Sequence, residues 1–168
     1  MAIRPEIFRS GMRRLASGVS IITTSGTDGP RGLTATAVCS VTAAPPTLLC
    51  CVNRNSWAHD AIHESRILAV NYLSAADQDL AARFSDADTR EARFAEGRWT
   101  HLTTGSPILE TALASFDCRV VSIIDGASHS VFFAEIVDAR IGDATAPLVY
   151  FDGGYGSFTP ADAARAAR

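Results

Sequence analysis

The chain contains no lysine, and all 15 of its basic residues are arginines. This absence excludes mechanisms that need a Schiff-base amine or a P-loop lysine. Long apolar runs are also missing: the longest, residues 48–52, is far shorter than the roughly 20 residues of a membrane-spanning helix. Cysteine is sparse and forms no C-x-x-C pair, which favours reduced and mostly buried thiols. The four cysteines are Cys39, Cys50, Cys51 and Cys118.

Length and composition favour one globular domain. The 168 residues, 47% hydrophobic and 20% charged, are enough to bury a core and are not typical of a disordered chain. The net charge of −3 has the wrong sign for nucleic-acid binding, and residues 1–14 do not form a secretory signal. We therefore expect a cytoplasmic single domain over 1–168, with an N-terminal helix over 1–16, a tail over 160–168, and neither nucleic acid nor membrane as a partner.

Hydrophobic periodicity and turn residues predict a mostly β protein with flanking helices. About seven strands and few short helices favour an antiparallel barrel or sandwich over a doubly wound sheet. Glycine and serine at 126–129 predict a hairpin between two long strands. The predicted strands are 19–24, 32–42, 47–52, 67–73, 114–125, 130–141 and 148–151, and the predicted helices are 5–16, 56–65 and 77–84, with a charged surface helix and loop over 86–97.

Common catalytic and metal-binding motifs are only superficially matched. His59 and His63 stand four apart on a predicted helix, but the zinc motif H-E-x-x-H needs glutamate where Asp60 stands, and no third ligand is indicated. We interpret this segment as an exposed helix face and expect no metal. The glycines of 153–156 follow the last predicted strand and open no crossover helix, so they are not a Rossmann fingerprint.

Residues 32–41 are small or hydroxylated where an ordinary strand would carry bulky side chains. Such a strand lets a flat aromatic ligand lie against its backbone. Tight packing of a hairpin against a helix explains the same residues, and composition does not decide between the two. Strand alternation places Thr34, Thr36 and Val38 on one face and Ala35, Ala37 and Cys39 on the other.

Residues 53–56, Asn-Arg-Asn-Ser, follow an apolar strand and lead into a predicted helix. Amides, a guanidinium, a hydroxyl and helix N–H groups would converge there and could hold a phosphate, each charged hydrogen bond contributing about 1.5 to 3 kcal/mol. Simple capping of the helix by Ser56, with Arg54 in solvent, is the alternative.

Taken together, these segments resemble the short-chain flavin reductases from about Phe8 to Tyr155. No single block is diagnostic, but the order and spacing of the blocks are specific. The matching residues include Gly32-Leu33-Thr34-Ala35-Thr36, Ser40-Val41, Pro45-Pro46, Cys51-Val52-Asn53-Arg54, Ser56, Val70-Asn71-Tyr72-Leu73, Phe84, Arg93-Phe94, His129, Phe132 and Pro147-Leu148-Val149-Tyr150-Phe151.

The resemblance implies an antiparallel, flavin-binding split β-barrel that is usually a homodimer. Such proteins use NADH or NADPH to reduce FMN or FAD and supply the reduced flavin to a partner monooxygenase. By position, the resemblance implies that the isoalloxazine ring and ribityl chain lie along Thr34, Ala35, Thr36, Ala37, Cys39 and Ser40. It further implies that Asn53, Arg54 and Ser56 hold the phosphate, that Phe84 contacts the flavin, that His129 lies near the nicotinamide, and that Tyr155 belongs to a segment closing over the site.

Two departures from the family pattern affect the implied site. The family commonly has Gly-Asp-His where this chain has Ala127-Ser128-His129, so the acidic residue that would orient the histidine is missing. A glycine that often lies near the flavin is replaced within Ser85-Asp86-Ala87. For His129, a buried structural histidine is the alternative interpretation.

Two other functions are compatible with the same barrel. One is a reductase that keeps its flavin and passes electrons to another acceptor, such as a cobalt corrinoid. The other is a non-catalytic flavin-binding or haem-binding protein. The acidic residues outnumber the basic ones, and the sequence indicates no clear pocket for the 2′-phosphate of NADPH. This favours NADH over NADPH.

Overall fold

A seven-stranded antiparallel sheet forms the body of the computed structural model, which describes residues 2–159. The prediction of a mostly antiparallel β fold with flanking helices is confirmed. The strands are β1 (Ser17–Gly18), β2 (Ser20–Gly26), β3 (Gly29–Ala35), β4 (Val38–Ala43), β5 (Pro46–Asn53), β6 (Ile67–Tyr72), β7 (Trp99–His101), β8 (Pro107–Leu109), β9 (Ala114–Asp125), β10 (His129–Ile141), β11 (Leu148–Phe151) and β12 (Gly154–Ser157). The helices are α1 (Pro5–Met12), α2 (His59–Ser65) and α3 (Gln78–Ser85), with short 3-10 turns at Ala75–Asp77 and Arg90–Ala92.

The strand order requires the large sheet to curl. The order is β3-β2-β6-β9-β10-β5-β4, so β3 and β4 are opposite edges although only Thr36 and Ala37 separate them in the chain. Seven flat strands would span about 29 Å, since neighbours lie about 4.8 Å apart. Three Cα–Cα steps of about 3.8 Å let the link reach only about 11 Å. The sheet is therefore curled, and the end of β3 lies close to the start of β4. Beside this link, the Cys51 N–H of β5 donates to the Ala37 carbonyl at 3.0 Å.

Two apolar clusters hold this shape. Inward residues of the large sheet, among them Ile22, Leu68 and Phe132, form the first cluster and are fully buried. The second lies between the outer face of β2, helix α3 and β11, and includes Ile21 and Phe84. Burial of each large side chain contributes about 1.5 to 3 kcal/mol, so α3 is fixed to the sheet mainly through the Phe84 cluster.

A separate three-stranded sheet in the order β1-β11-β12, and the two-stranded pair β7-β8, complete the fold. The sequence patterns did not predict β7, β8 or β12. These strands have only three or four residues, which is too short to establish an alternating pattern.

The predicted strand 32–42 is wrong as a single element. The structure divides it at Thr36 and Ala37, and its halves lie on opposite edges of the sheet. Continuous alternation along the segment is therefore lost. The predicted middle-of-sheet strand 47–52 is second from the edge, as β5.

Two predicted helices are shorter than expected. Helix α2 begins at His59 with Ala58 as its N-cap, so the prediction that Ser56 caps a helix is wrong. The Ala58 N–H instead contacts Ser56 Oγ at 3.4 Å, within the preceding loop. Helix α1 ends at Met12 rather than at residue 16, and it has no buried residue. Its apolar side chains, including Ile7 and Phe8, are exposed.

The cysteines are all free thiols. Cys50 and Cys118 are buried as predicted, whereas Cys39 is exposed. Burial raises the pKa of Cys50 to about 12, so this thiol stays protonated at neutral pH.

The tail over 160–168 lies outside the described residues. Within 2–159, none of the helices has the length and apolar character that crossing a bilayer demands.

Asn71 connects four strands through its buried amide. Its Oδ1 accepts from the Leu109 N–H at 2.8 Å and from the Ser115 hydroxyl at 2.8 Å, and its Nδ2 donates to the Ile21 carbonyl at 3.1 Å. The side chain is fully buried. Because water does not reach these groups, each depends on Asn71 for its hydrogen bond.

Replacing Asn71 with alanine is expected to lower the free energy of unfolding by about 3 kcal/mol, since each abandoned buried group costs about 1 to 3 kcal/mol. Urea unfolding followed by circular dichroism measures the change. Asn55→Ala, at an exposed position, is the control and should change the free energy by less than about 0.5 kcal/mol. Equal effects of the two variants would contradict the assigned role.

Candidate functional site: an anion pocket and an adjacent histidine hairpin

An open pocket of about 270 Å³ lies where β3, the loop after β5 and the end of α3 come together. The curl of the sheet is what makes this meeting possible, because β3 and β5 belong to opposite halves of the strand order. Polar groups surround the pocket, and no carboxylate is among its lining residues in the described chain. The lining residues are Leu33, Thr34, Asn53, Asn55, Ser56, Trp57, Phe84, Ser85, Ala87, Arg90 and Arg93.

Arg93 is the most unusual of these residues because it is a buried guanidinium, 4% exposed. Its Nη1 donates to the Gly32 carbonyl and its Nη2 to the Asp86 carbonyl, each at 2.6 Å. Its Nε is buried, and no hydrogen-bond partner for it lies within the described residues. Burial and then the charge of Arg90 lower the pKa of Arg93. Because the two guanidinium charges repel each other, an anion between Arg90 and Arg93 would be stabilised.

Gly32 and Phe84 set the floor of the pocket. A Cβ atom at Gly32 would lie 2.7 Å from Phe84 Cε1, so no larger residue fits without moving the ring. Phe84 is fixed in turn by an edge contact with Phe94 and a tilted contact with Trp99, whose ring centroids lie 5.1 and 5.6 Å away. The glycine therefore permits the ring, the Arg93 side chain and β3 to pack closely.

The loop after β5 presents its polar side chains to the same pocket. The Asn55 N–H donates to Asn53 Oδ1 at 2.9 Å, and the Ser56 N–H donates to the Asn53 carbonyl at 2.9 Å, which closes a tight turn. Asn53 and Ser56, both predicted as phosphate-binding residues, line the pocket. Arg54, predicted with them, is exposed and is not among the lining residues of the described chain.

The sequence patterns missed Arg90 and Arg93 as site residues because the charged segment 86–97 predicted a surface helix and loop. Only a short 3-10 turn forms there, and it returns the chain so that Arg93 enters the interior. The available signal was the Arg93-Phe94 pair among the residues that carry the family resemblance.

His129 begins β10 directly beside this loop, where its backbone pairs with Asn53 of β5. The side chain is exposed, so the alternative of a buried structural histidine is wrong. Ser128 Oγ lies 2.9 Å from His129 Nδ1. The serine therefore occupies the position of the acidic residue that is missing from the family pattern, and it contacts the ring nitrogen.

The remaining members of the predicted flavin-binding segment are divided between different surroundings. The Thr34 hydroxyl donates to the Ala81 carbonyl of α3 at 2.6 Å, and Ala35 packs in the main core. Thr36 faces a different cavity of about 680 Å³, which it shares with α1 and β11. Three others, Ala37, Cys39 and Ser40, are exposed near the β4 edge.

Tyr155, predicted to lie in a closing segment, is a residue of the short strand β12. Its ring lies 5.4 Å from that of Tyr150, and it packs against the apolar cluster that includes Phe84. Burial raises the pKa of Tyr155. Strand β12 therefore packs against the same apolar cluster as α3.

The prediction that His59 and His63 lie on an exposed helix face is wrong for His59, which is 5% exposed. Its ring is 6.3 Å from that of the exposed His63. Across residues 2–159, no group of three or more histidine, cysteine or acidic side chains is placed to hold a metal ion.

Comparison with known proteins gives consistent matches over most of the chain. The family model described as flavin reductase like domain matches residues 12–159. A curated relative, FMN reductase (NADH) RutF of Variovorax paradoxus, is 47% identical over 148 residues, which are 88% of this chain and 82% of the relative.

Two solved structures share the fold at lower identity. Nitrilotriacetate monooxygenase component B of Mycobacterium thermoresistibile is 30% identical with a TM-score of 0.86, over 92% of this chain and 87% of the other. The NADH:FAD oxidoreductase of Streptomyces globisporus, solved with NAD and FAD fragments, is 25% identical with a TM-score of 0.86, over 96% and 98%. The curled sheet, the anion pocket and these matches together establish that the chain belongs to the flavin reductase like domain family.

Proposed function

We propose that this protein is an NADH-dependent FMN reductase that supplies reduced flavin to a partner monooxygenase. The observation that carries the proposal is the pocket in which Arg90, the buried Arg93, Asn53 and Ser56 converge without a lining carboxylate. This set of donors matches the oxygens of a phosphate, and the unpartnered Nε of Arg93 is a donor that still lacks an acceptor. The residues present therefore fit the phosphate of a flavin nucleotide.

The phosphate would be held by charge and by hydrogen bonds together. Charge-assisted hydrogen bonds contribute about 1.5 to 3 kcal/mol each, so two or three of them account for a substantial part of a micromolar affinity of about −8 kcal/mol. Contacts along the ribityl chain and the isoalloxazine ring would supply the rest. For the ring we retain the segment Thr34, Ala35, Thr36, Ala37, Cys39 and Ser40, with Phe84 in the pocket wall and Tyr155 packed against the apolar cluster that includes Phe84.

The chemistry belongs to the flavin, which accepts the hydride of NADH when both are bound. The protein's own contribution is to hold the two nucleotides together and exclude water. His129 is the residue we assign to the nicotinamide, because its exposed ring lies beside the phosphate-binding loop. Ser128 Oγ restricts the rotation of this ring through its contact with Nδ1.

FMN and NADH are the nucleotides we favour over FAD and NADPH. The relative at 47% identity is named an FMN reductase (NADH), whereas the named FAD oxidoreductase is only 25% identical. A partner monooxygenase is part of the proposal because one related structure is a component of such a system. We also expect a homodimer, for which the exposed apolar side chains of α1 offer an interface.

A reductase that delivers flavin must release it in every cycle. With an association rate constant of about 10⁷ M⁻¹s⁻¹ and a turnover of about 10 s⁻¹, release at this rate requires a Kd of about 1 μM or weaker. The open pocket, which no described segment covers completely, is compatible with such exchange.

Oxidation of NADH by the purified protein, followed by ultraviolet absorbance, is expected to depend on added FMN and to saturate at micromolar FMN. FAD, riboflavin and NADPH are compared in the same assay, and ferric iron and a cobalt corrinoid are offered as acceptors. Binding of flavin without any NADH oxidation would contradict the proposal and favour a non-catalytic flavin-binding barrel. Faster oxidation of NADH with the corrinoid than with free flavin would favour the alternative reductase, which keeps its flavin and passes electrons to a corrinoid.

Two arginines test the location of the phosphate. Arg90→Ala is expected to raise the Kd of FMN at least tenfold, because a charged contact is lost, while the Kd of riboflavin, which has no phosphate, changes less than about twofold. Quenching of flavin fluorescence measures both constants. Arg54→Ala is the matched exposed variant and should leave FMN binding nearly unchanged. A larger effect of Arg54→Ala would place the phosphate where the sequence pattern predicted it.

His129→Ala is expected to raise the KM of NADH about tenfold and to lower kcat, while turnover persists, since no protein acid is strictly required for hydride transfer. Steady-state kinetics at saturating FMN measures both parameters. His101→Ala removes an exposed histidine outside the site and serves as the control. Complete loss of turnover with FMN still bound would show that His129 has an essential chemical role.

A further inference from the structure

His59 is a buried histidine that the proposed reaction does not use. It is the first residue of α2, and its side chain is buried against the sheet. The centroids of the His59 and Phe132 rings lie 5.7 Å apart in an edge-to-face arrangement. Its Nε2 lies 2.9 Å from Ser130 Oγ, a contact between residues 71 positions apart. A polar side chain is buried at a cost unless its hydrogen bonds are made, so this contact determines where the ring lies.

Ser130 also forms a hydrogen bond to a third element, strand β9. Its hydroxyl donates to Asp125 Oδ1 at 2.8 Å, so its oxygen accepts a hydrogen bond from the Nε2–H of His59. Ser130 is fully buried and pairs with Val52 in β5 and with Asp125 in β9. The chain of hydrogen bonds thus joins the start of α2 to both strands of the hairpin that carries His129.

A second contact joins the same two segments at their exposed ends. The Arg54 N–H donates to the Ser128 carbonyl at 3.0 Å. Within the hairpin itself, the Gly126 N–H donates to the His129 carbonyl at 2.8 Å. Residues 54–58, which include three lining residues of the anion pocket, therefore lie between the Arg54–Ser128 contact and the His59–Ser130 contact. Residues 126–129 at the hairpin tip are exposed, so few packing contacts fix them.

On this geometry we propose that His59 is a positioning residue: its hydrogen bond to Ser130 fixes loop 54–58 of the anion pocket against the 126–129 turn that carries His129. The inference rests on the proposed function for its kinetic consequence, although the physical coupling itself does not depend on the reaction. Without the contact, the two segments are joined only by the Asn53–His129 backbone pair and the Arg54–Ser128 hydrogen bond. The distance between Ser56 and His129 is then less firmly fixed.

Asp60 contributes little to this coupling. Its Oδ1 lies 2.8 Å from His59 Nδ1, but its side chain is 87% exposed, and such surface pairs are screened by water. We therefore assign the positioning role to the Nε2 side of the ring.

Amide hydrogen exchange of the flavin-free protein, measured by NMR, tests the coupling directly. In His59→Leu, exchange of the Arg54 and Gly126 amides is expected to accelerate at least tenfold more than exchange of amides in β11, which belongs to the separate three-stranded sheet. His63→Leu, at the exposed histidine of the same helix, is the matched control and should leave the profile unchanged. Uniform acceleration of all amides in His59→Leu would show a general loss of stability and overturn the proposal.

Two further variants test the same hydrogen bond if the leucine variant does not fold. His59→Gln keeps a side-chain amide donor of similar reach, and it should retain exchange rates within about threefold of wild type. Ser130→Ala removes the acceptor instead, and it should accelerate the same two amides as His59→Leu. If His59→Gln behaves like His59→Leu while Ser130→Ala behaves like wild type, the contact does not hold the loop and the proposal fails.

Kinetics then test the consequence for the site. We expect His59→Leu to raise the KM of NADH about tenfold, with a smaller change in kcat, and the double variant with His129→Ala to show no further increase over His129→Ala alone. Additive effects would mean that His59 does not act through His129 and would overturn the positioning role. If wild-type protein shows no flavin-dependent oxidation of NADH, the proposed function fails, while the exchange measurements still decide whether the coupling exists.

Discussion

The two-residue link between β3 and β4 is the constraint on which the rest of the structure depends. Thr36 and Ala37 join strands at opposite edges of a seven-stranded sheet, and so short a link forces the sheet to curl. The curl brings β3 next to the loop that follows β5. Without it, Thr34 and Ser56 would lie on distant parts of the sheet and could not line one pocket.

Electrostatics decide what this pocket can bind. A protein with a net charge of −3 nevertheless concentrates two arginines in a small open space. Arg93 is held rigidly by the carbonyls of Gly32 and Asp86, and its position was fixed when the chain folded. An anion that enters meets donors already oriented, so little conformational entropy is lost on binding. The same rigidity depends on Gly32, since any side chain there would displace Phe84.

The two halves of the site differ in how firmly they are held. The pocket floor is packed against a buried aromatic cluster, whereas the hairpin tip with His129 is exposed. Hydrogen bonds from the loop at 54–58 and from His59 connect the tip to the firmer half. In the function we propose, this arrangement would let the exposed His129 reach an incoming nucleotide and keep a defined distance from the phosphate. Buried hydrogen bonds thus hold the hairpin in place, as apolar packing holds α3 in place.

The sequence by itself determined the elements that depend on local pattern. The alternation of β9 and β10, the hairpin between them, and the small residues of 32–41 are visible without coordinates, and their order was enough to indicate the family. Tertiary structure alone decided which residues share a pocket, because this depends on the curl of the sheet. Arg93 illustrates the difference: its charged neighbours predicted a surface segment, yet long-range packing on Phe84 and Gly32 places it inside. His59 shows the same effect, since its burial follows from a serine 71 residues away that no local periodicity connects to it.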